Sequence, residues 1–260
     1  MKKYLVIGNP IEHSLSPKLH NHWIKENKIN AIYEKKLINE SDIGEIINEV
    51  KKDKINGINV TIPFKKSIIP FLDQLTTQAK EAQSVNTIYK RDNKVFGDNT
   101  DIGGFEQSLK HINYNVQNKR VFILGAGGVT SSIIIALKKL GVNKIILANR
   151  TKKKAENLKK IFSDLEVLNW GENTNFDMII NTTSLGLKKS DIIKIDFNKM
   201  GSNKLFYDLI YNPSKTNFLF EGEKLGNKIS NGKMMFIYQA QLAFKIWHNV
   251  LPKINNNLLD

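Results

Sequence analysis

The sequence predicts an α/β protein built from two domains. The chain has 260 residues, which is enough for two ordinary domains with buried cores. In the first hundred residues, short apolar strand segments alternate with segments whose apolar residues recur at helical spacing. From residue 120 onward, a buried strand, a glycine-rich turn and a helix follow one another. These observations indicate a small N-terminal α/β domain and a second, doubly wound domain with a parallel sheet.

The first domain is predicted to contain strands, two early helices and a hairpin. Ser16 is a favourable N-cap residue and Pro17 suits the first helical position, so a helix is predicted to begin there with Ser16 as its cap. A second helix is predicted from Ser41, because apolar residues follow it at helical spacing. The predicted strands are residues 4–7, 31–37 and 55–62, and the hairpin joins 85–89 to 94–96.

The second domain is predicted to hold the strands of a parallel sheet. Its first helix should end at Gly141, and a long C-terminal helix over 234–251 is predicted to return to the first domain. The expected boundaries are 1–101 plus 234–260 for the first domain and 102–233 for the second. The predicted strands begin at Arg120 and at Lys144 and continue with 177–181, 204–208 and 228–230.

Composition excludes several kinds of site. Cysteine is absent, which rules out disulfides, thiolate nucleophiles and cysteine-based zinc sites. The apolar runs are far shorter than the ~20 residues that span a bilayer, and the N-terminal segment is typical of a strand rather than a signal peptide. A cytoplasmic location without a membrane partner therefore fits best. His13, His20 and His22 are close in sequence but lack a plausible metal geometry, so no metal site is predicted.

The net charge of +14 raises the question of a nucleic-acid partner. The lysines come mainly as scattered pairs, and only Lys152 to Lys154 forms a run of three. Solvated helix faces explain this pattern better than a binding stripe, so no nucleic-acid partner is predicted. The charge would still attract anionic small molecules. The sequence does not separate a monomer from a homodimer.

A glycine-rich turn opens the second domain. Gly125-Ala126-Gly127-Gly128 follows a strand and precedes a helix, which is the context in which such a turn binds a dinucleotide. Its glycines permit the tight turn and let backbone amides approach a pyrophosphate at the helix N-terminus. Thr130 stands where a third glycine would complete the fingerprint. Strand, turn, helix and second strand together predict a Rossmann-like domain.

The end of the next strand selects the nucleotide. Chains that bind NAD usually carry Asp or Glu there, which accepts from the ribose 2′-hydroxyl. Here the strand ends Asn149-Arg150-Thr151 and three lysines follow, so no carboxylate is available. The planar, charged fork of Arg150 suits a 2′-phosphate. The alternative is that these cations only cover a helix start, but their position at the expected ribose favours NADP.

Two further segments carry polar residues at the ends of predicted elements. Ser14 and Ser16 lie beside a helix N-terminus, where free amides and the helix dipole favour an anion such as a carboxylate. A helix cap and a local turn are the simpler interpretation, which this segment alone favours. Lys65 follows the buried strand of NVTIPFK, at a point with no obvious surface turn.

These segments occur in an order that resembles the shikimate dehydrogenases. The shared motifs span nearly the whole chain: GNPIEHSLSPKLHN, NVTIPFK, VNT, GDNTDIGGF, GAGG, NRT, NTTSLG, YDLIYNP and MMFIYQAQ. Several are long and uncommon, so chance is a poor explanation. The resemblance implies reversible, NADP-linked reduction of 3-dehydroshikimate to shikimate in aromatic amino-acid biosynthesis, in a cleft between the two domains.

The resemblance also implies roles for individual residues. Lys65 would donate and accept the proton, assisted by Asp101. The substrate would be held by Ser14, Ser16, Thr61, Asn86, Tyr211 and Gln239. The cofactor would be contacted by Gly125, Ala126, Gly127, Gly128, Val129, Asn149, Arg150, Thr151, Lys154, Leu209 and Gly232.

Elementary chemistry agrees with these roles. Reducing a ketone requires a hydride on carbon and a proton on oxygen, and a lysine ammonium can polarise the carbonyl and supply that proton. Each residue also has an ordinary structural alternative: Lys65 solvated, Asp101 capping a helix, Gln239 satisfying a backbone group, Tyr211 packing. The departures from the family pattern are Val129, Lys154 and Leu187, where a smaller residue, Arg and Met are common.

Two alternative functions agree less well with these residues. A paralogue of relaxed specificity would also oxidise quinate with NAD, and Asn149-Arg150-Thr151 argues against it. A catalytically idle protein that binds NADP or nucleic acid would explain the charge, and the pair Lys65 and Asp101 argues against that.

Overall fold

The computed structural model describes residues 1–188 and 190–255 and has the predicted α/β class. The chain divides into two compact units: Met1–Phe105 with the chain from Ile237 onward, and Glu106–Phe236. Each unit is built on one six-stranded sheet. The α-helices are α1 (Ser16–Glu26), α2 (Ile43–Lys51), α3 (Thr77–Ala82), α4 (Thr100–His111), α5 (Thr130–Lys139), α6 (Lys152–Ile161), α7 (Asn217–Lys224) and α8 (Lys233–His248).

The sheet of the first unit is mixed. Its strands are β1 (Lys2–Gly8), β2 (Ala31–Leu37), β3 (Gly57–Val60), β4 (Gln74–Leu75), β5 (Thr87–Arg91) and β6 (Lys94–Asp98). They lie in the order β2-β1-β3-β5-β6-β4. The predicted hairpin is present as β5 and β6, and Asp92 and Asn93 form its turn with φ of 50° and 58°, as a two-residue turn of this kind requires. Strand β3 is buried along its whole length, so any polar side chain on it needs a protein partner.

The start of α1 differs from the prediction by one residue. Leu15 occupies the N-cap position with φ −88° and ψ −1°, and Ser16 is the first helical residue. The Ser14 hydroxyl instead accepts a hydrogen bond from the Ser16 amide at 3.3 Å. The prediction of Ser16 as N-cap was therefore wrong, because the preceding serine closes the turn. The second helix also begins later than predicted: a 3-10 turn over Glu40–Asp42 precedes α2.

The sheet of the second unit is parallel throughout. Its strands are β7 (Arg120–Leu124), β8 (Lys144–Ala148), β9 (Glu166–Leu168), β10 (Met178–Asn181), β11 (Leu205–Asp208) and β12 (Lys228–Ser230). The spatial order is β12-β11-β10-β7-β8-β9, so the chain builds outward from β7 in one direction and then from β10 in the other. This is the doubly wound arrangement. The last residues of β7, β8, β10 and β11 are in register, so the loops that follow them start at one edge of the sheet. Ligands of such sheets bind at that edge.

Each unit has its own apolar core. In the first unit, the buried face of α2 packs with β1 and β3, and Ile43, Ile47 and Ile58 are at most 2% exposed. In the second, Phe122 of β7 and Phe206 of β11 belong to one buried cluster with Phe218 of α7. Each such side chain contributes about 1.5–3 kcal/mol relative to an exposed position. Among residues 1–188 and 190–255, no helix has the length and apolar character needed to cross a membrane.

Candidate active site

A buried ion pair lies beyond the carboxyl end of β3. Lys65 Nζ donates to Asp101 Oδ2 at 2.6 Å, and only 11% and 7% of the two side chains are exposed. Lys65 lies in the turns after β3, where its carbonyl accepts from the Val85 amide at 2.8 Å, and Asp101 lies in the first turn of α4. Removing either partner would leave a largely buried charge uncompensated. The structure thus excludes the alternative of an ordinary solvated lysine.

Asn86 connects this pair to its surroundings. Its side-chain nitrogen lies 2.9 Å from Asp101 Oδ1, 2.9 Å from Thr100 Oγ1 and 3.3 Å from Gln239 Oε1. Its side-chain oxygen accepts from the Thr100 amide at 2.8 Å and from Thr87 Oγ1 at 3.0 Å. The amide is therefore held at both ends, and it fixes the orientation of the Asp101 carboxylate. The structure brings Lys65, Asp101, Asn86 and Gln239 into one cluster.

Gln239 reaches this cluster because α4 and α8 approach each other closely at a glycine. A Cβ built on Gly104 would lie 2.7 Å from Gln239 Cβ and 2.9 Å from the Gln239 amide nitrogen, so only glycine fits at this crossing. The neighbouring Gly103 would instead meet the end of the Leu242 side chain at 2.6 Å. The two adjacent glycines thus have different roles.

Sequence reasoning assigned no role to Asn59 and Tyr33, which extend the cluster. The Tyr33 hydroxyl donates to Asn59 Oδ1 at 2.7 Å, and Asn59 Nδ2 donates to the Asn86 carbonyl at 3.1 Å. Asn59 is 6% exposed. An asparagine within an otherwise apolar, buried strand was a signal that could have found it, since such a side chain needs partners. Tyr33 gave no comparable signal in the sequence.

The Tyr33 ring packs against an aromatic cluster. The His20 ring stacks on the Tyr33 ring, with centroids 4.2 Å apart and planes 2° from parallel, and Trp23 and Phe244 also border it. Within the described residues, neither nitrogen of this imidazole has a hydrogen-bond partner. Burial, with a smaller contribution from His248, lowers the pKa of His20 to about 3. His20 is therefore neutral at physiological pH and acts as an apolar ring.

The serine loop and Thr61 are also described in the first unit. Ser16 is buried, with 7% exposed, and Ser14 is half-buried. The Ser14 amide donates to the Ile11 carbonyl at 3.1 Å, so this serine does form the local turn that the simpler interpretation required. Thr61 donates its amide to the Ile7 carbonyl at 2.9 Å, and its methyl group lies against Gly8.

The glycine-rich turn has the predicted conformation. Gly125 has φ of 111°, and a Cβ there would lie 2.7 Å from Thr182 Oγ1, so glycine is required on both counts. Thr130, at the place of the missing third glycine, is buried and donates its hydroxyl to the Gly125 carbonyl at 3.1 Å. Among the described residues, a Cβ at Gly127 would have only the Thr182 carbonyl oxygen within reach, at 4.0 Å. The backbone at Gly127 therefore borders open space, and an anionic group such as a pyrophosphate fits there.

The residues after β8 differ in exposure and in bonding. The Asn149 side chain accepts from the Ala126 amide at 2.9 Å and donates to the Thr151 carbonyl at 2.8 Å, so it ties the glycine-rich turn to the next loop. Arg150, Thr151 and Lys154 are exposed. Because the Arg150 side chain is exposed, its guanidinium can reach a phosphate in solution.

Leu209, Gly232 and Tyr211 lie together beyond the end of β11. The Leu209 amide donates to the Asn181 carbonyl at 3.0 Å, and a Cβ on Gly232 would lie 2.0 Å from the Leu209 carbonyl oxygen. The Tyr211 ring stacks on Phe236 with centroids 4.7 Å apart. Packing, the alternative considered for Tyr211, is therefore part of its role. Among the described residues, no cluster of His, Asp and Glu could hold a metal ion.

Two family models match the chain. The model of the shikimate dehydrogenase substrate binding domain matches residues 6–88, and the model of shikimate / quinate 5-dehydrogenase matches residues 107–209. The chain belongs to the shikimate dehydrogenase family. The resemblance inferred from the motifs is thereby confirmed.

Full-length relatives agree with this family assignment. The shikimate dehydrogenase (NADP(+)) of Pelagibacter ubique is 60% identical over 262 residues, which cover 100% of this chain and 99% of that protein. The crystal structure of shikimate dehydrogenase from Aquifex aeolicus is 38% identical with a TM-score of 0.92, over 99% of this chain and 96% of that one. The Thermus thermophilus enzyme, crystallised with NADP(H) and shikimate, is 29% identical with a TM-score of 0.90, over 97% and 95%.

Proposed function

We propose that this protein is an NADP-dependent oxidoreductase that reversibly reduces 3-dehydroshikimate to shikimate, a step of aromatic amino-acid biosynthesis. The observation that carries the proposal is the buried pair of Lys65 and Asp101 in a polar cluster. Its support is the membership of the chain in a family whose relative at 60% identity is named shikimate dehydrogenase (NADP(+)).

Lys65 is the group that exchanges a proton with the substrate oxygen. Its ammonium has three donor positions, and Asp101 Oδ2 engages one of them at 2.6 Å. The others can donate to the ketone oxygen, polarise the carbonyl and then supply the proton; in the reverse direction the amine accepts it. Asp101 holds the ammonium in place, and Asn86 holds Asp101.

The remaining polar residues of the first unit would bind the substrate. Asn86 and Gln239 present amide groups to ring hydroxyls, and Thr61 adds a hydroxyl. Ser14 and Ser16 would donate to the substrate carboxylate near the N-terminus of α1, where the helix dipole favours an anion. Tyr211 of the second unit completes the proposed set of substrate-binding residues.

NADP would be held by the second unit. NADPH supplies the hydride when it is bound. The backbone from Gly125 to Val129 would hold the pyrophosphate, and Arg150 with Lys154 would pair with the 2′-phosphate, Lys154 as a point charge. Asn149 and Thr151 would border the ribose, and the Leu209 carbonyl and Gly232 would contact the nicotinamide end.

The division of labour between two domains is part of the proposal. Residues 1–101 plus 234–260 would bind the substrate and residues 102–233 the cofactor. We expect the enzyme to work in the cytoplasm as a monomer or a homodimer, without nucleic acid. Light scattering of the purified protein would decide between the two oligomeric states, and a higher oligomer would contradict both.

Lys65→Ala with Lys66→Ala as a matched control tests the proposed chemistry. Lys66 is adjacent and exposed, so its loss changes the net charge equally. We expect K65A to lower kcat about 10²- to 10⁴-fold, the usual contribution of general acid–base catalysis, and to leave NADP affinity nearly unchanged. K66A should retain kcat within about twofold, since a surface substitution seldom matters. Equal loss of turnover in both variants, or loss of NADP binding in K65A, would contradict the assignment.

A further inference from the structure

Asp208 is a fully buried carboxylate to which the proposed chemistry gives no task. It is the last residue of β11, and it is 0% exposed. Oδ1 accepts from Asn181 Nδ2 at 3.0 Å and from the Ile210 amide at 3.0 Å, and Oδ2 accepts from Thr216 Oγ1 at 2.6 Å. The carboxylate thus joins the ends of two strands to the start of α7.

Asn181 extends this network into the next loop. It is paired with Asp208 in the register of β10 and β11. Its Oδ1 accepts from the Thr183 amide at 3.0 Å and from Thr183 Oγ1 at 2.7 Å, and its Nδ2 donates to the Leu185 carbonyl at 3.0 Å. The turn of the NTTSLG segment is therefore held by a side chain that Asp208 orients.

The network acts directly on the loop that holds Leu209. The Leu209 amide is bonded to the Asn181 carbonyl at 3.0 Å, and the following amide, that of Ile210, is bonded back to the Asp208 carboxylate. The Ile210 carbonyl in turn accepts from the Gly232 amide at 3.2 Å. Both peptide groups that flank Leu209 are fixed, so the direction of its carbonyl is determined by Asp208 and Asn181.

We propose that Asp208 is a positioning residue that fixes the Leu209 carbonyl and Gly232 in the arrangement that binds the nicotinamide end of NADP. The inference rests on the proposed function and identifies the residue that sets the geometry of the nicotinamide end of the cofactor site. It does not make Asp208 a group that touches the substrate.

The number of acceptors explains why a carboxylate stands at this buried position. Three donors converge on it, from Asn181, Ile210 and Thr216, and a carboxylate can accept all three. An asparagine has one accepting oxygen, so one of the two sides would face an NH₂ group instead. Burial alone would disfavour a charge here, and it raises the pKa of Asp208 to about 6 against the lowering effect of the three hydrogen bonds.

Asp208→Asn tests the inference with two measurements, one of the loops without cofactor and one of NADP binding. In the cofactor-free protein, hydrogen exchange at the Ile210 and Thr183 amides reports on the loops themselves. Calorimetry with NADP reports on the cofactor site. We expect the Ile210 amide to exchange faster, and the dissociation constant of NADP to rise about 10- to 100-fold, the ratio that corresponds to one lost hydrogen bond to a charged group. KM for NADP should rise, and KM for shikimate should rise less, since Tyr211 is the one proposed substrate contact that lies in this loop.

A pair of variants at Thr216 covers the case in which D208N does not fold. Thr216→Val removes the hydroxyl that donates to Asp208, and Thr216→Ser keeps it. T216V also removes the N-cap of α7, so Thr76→Val, which removes the N-cap of α3 and a 2.6 Å bond to Asp98, is the control for lost stability. NADP affinity should fall in T216V, recover in T216S and be unaffected in T76V.

The possible results separate this inference from the proposed function. Two results would overturn the positioning role. The first is that both NADP affinity and Ile210 exchange in D208N match the wild type. The second is that T216S loses as much NADP affinity as T216V. A matching rise in KM for shikimate would also overturn it, since it would show a general structural defect. If the wild type itself neither bound nor reduced NADP, the proposed function would fail, while hydrogen exchange would still show whether Asp208 fixes these loops.

Discussion

The crossing of α4 and α8 at Gly104 provides a quantitative test of how Gln239 is positioned. The alanine Cβ in Gly104→Ala would lie 2.7 Å from Gln239 Cβ and 2.9 Å from its amide nitrogen. Ordinary contacts of this kind are at least about 3.5–4 Å, so α8 must move away by about 1 Å. Because Gln239 Oε1 is already 3.3 Å from Asn86 Nδ2, this movement takes the two atoms out of hydrogen-bond distance.

The size of the effect follows from two opposing contributions. Alanine in a helix interior is about 1 kcal/mol more favourable than glycine. Overpacking against backbone costs about 1–3 kcal/mol, so the free energy of unfolding should fall by up to about 2 kcal/mol. A 1 Å displacement of a substrate-positioning group can cost on the order of 100-fold in rate, and we expect kcat/KM for shikimate to fall about 10- to 100-fold.

Gly103→Ala is the matched control, because it adds the same methyl group to the next residue of the same helix. There the new Cβ meets the end of the flexible Leu242 side chain, which can rotate away. We expect G103A to be as stable as the wild type or up to about 1 kcal/mol more stable, with activity within about twofold. Urea unfolding and steady-state rates measure both quantities. If G104A were as stable and active as G103A, the close approach would not position Gln239.

Three further predictions concern charge. His20→Phe removes a buried base whose folded pKa, about 3, lies below the ordinary 6.5. Neutral His20 stabilises the fold fully above pH 6.5, and this stabilisation is lost as the pH falls from 6.5 towards 3. In urea unfolding, the free energy of unfolding of the wild type should therefore fall by about 2 kcal/mol relative to H20F between pH 6.5 and 5; a constant difference would contradict the burial. Asp208 has the opposite effect, because burial raises its pKa from 3.8 to about 6. Relative to D208N, the free energy of unfolding of the wild type should rise by about 1 kcal/mol from pH 7 to 5, and a fall would contradict the raised pKa. Arg150→Ala should weaken NADP about 10- to 100-fold in calorimetry and leave NAD unchanged, whereas Lys139→Ala, which removes the same charge from α5, should change neither; equal weakening of NAD would exclude 2′-phosphate recognition.

Local signals in the sequence were enough to predict the glycine-rich turn and the elements around it. Gly125 is required by its own φ of 111° and by the approach of Thr182, and a glycine at a strand-to-helix turn is visible without any tertiary information. The hairpin of β5 and β6 was predictable for the same reason, because Asp92 and Asn93 tolerate positive φ. Short elements such as β4 and α3 were missed, since two and six residues are too few to show a period.

Contacts between distant parts of the chain were beyond local reasoning. Tyr33 and Asn59 are 26 residues apart in sequence, and their hydrogen bond depends on the register of β2, β1 and β3. The buried position of Asp208 likewise follows from the pairing of β10 with β11. Ser16 was assigned as N-cap because sequence preference does not decide between two serines two residues apart, and Ser14 closes the turn instead. The pairing of Lys65 with Asp101 is predicted only through the resemblance to the family, because 36 residues separate them.

Absorbance at the reduced-nicotinamide band reports directly whether this protein reduces NADP with shikimate. The purified protein would be mixed with shikimate and either NADP or NAD at equal concentration, with quinate in parallel. We expect rapid reduction of NADP with shikimate and little reduction of NAD, because the loop after β8 offers Arg150 and no carboxylate. Faster turnover with quinate or NAD would contradict the proposed specificity, and the absence of reduction with every pair would contradict the proposed activity itself.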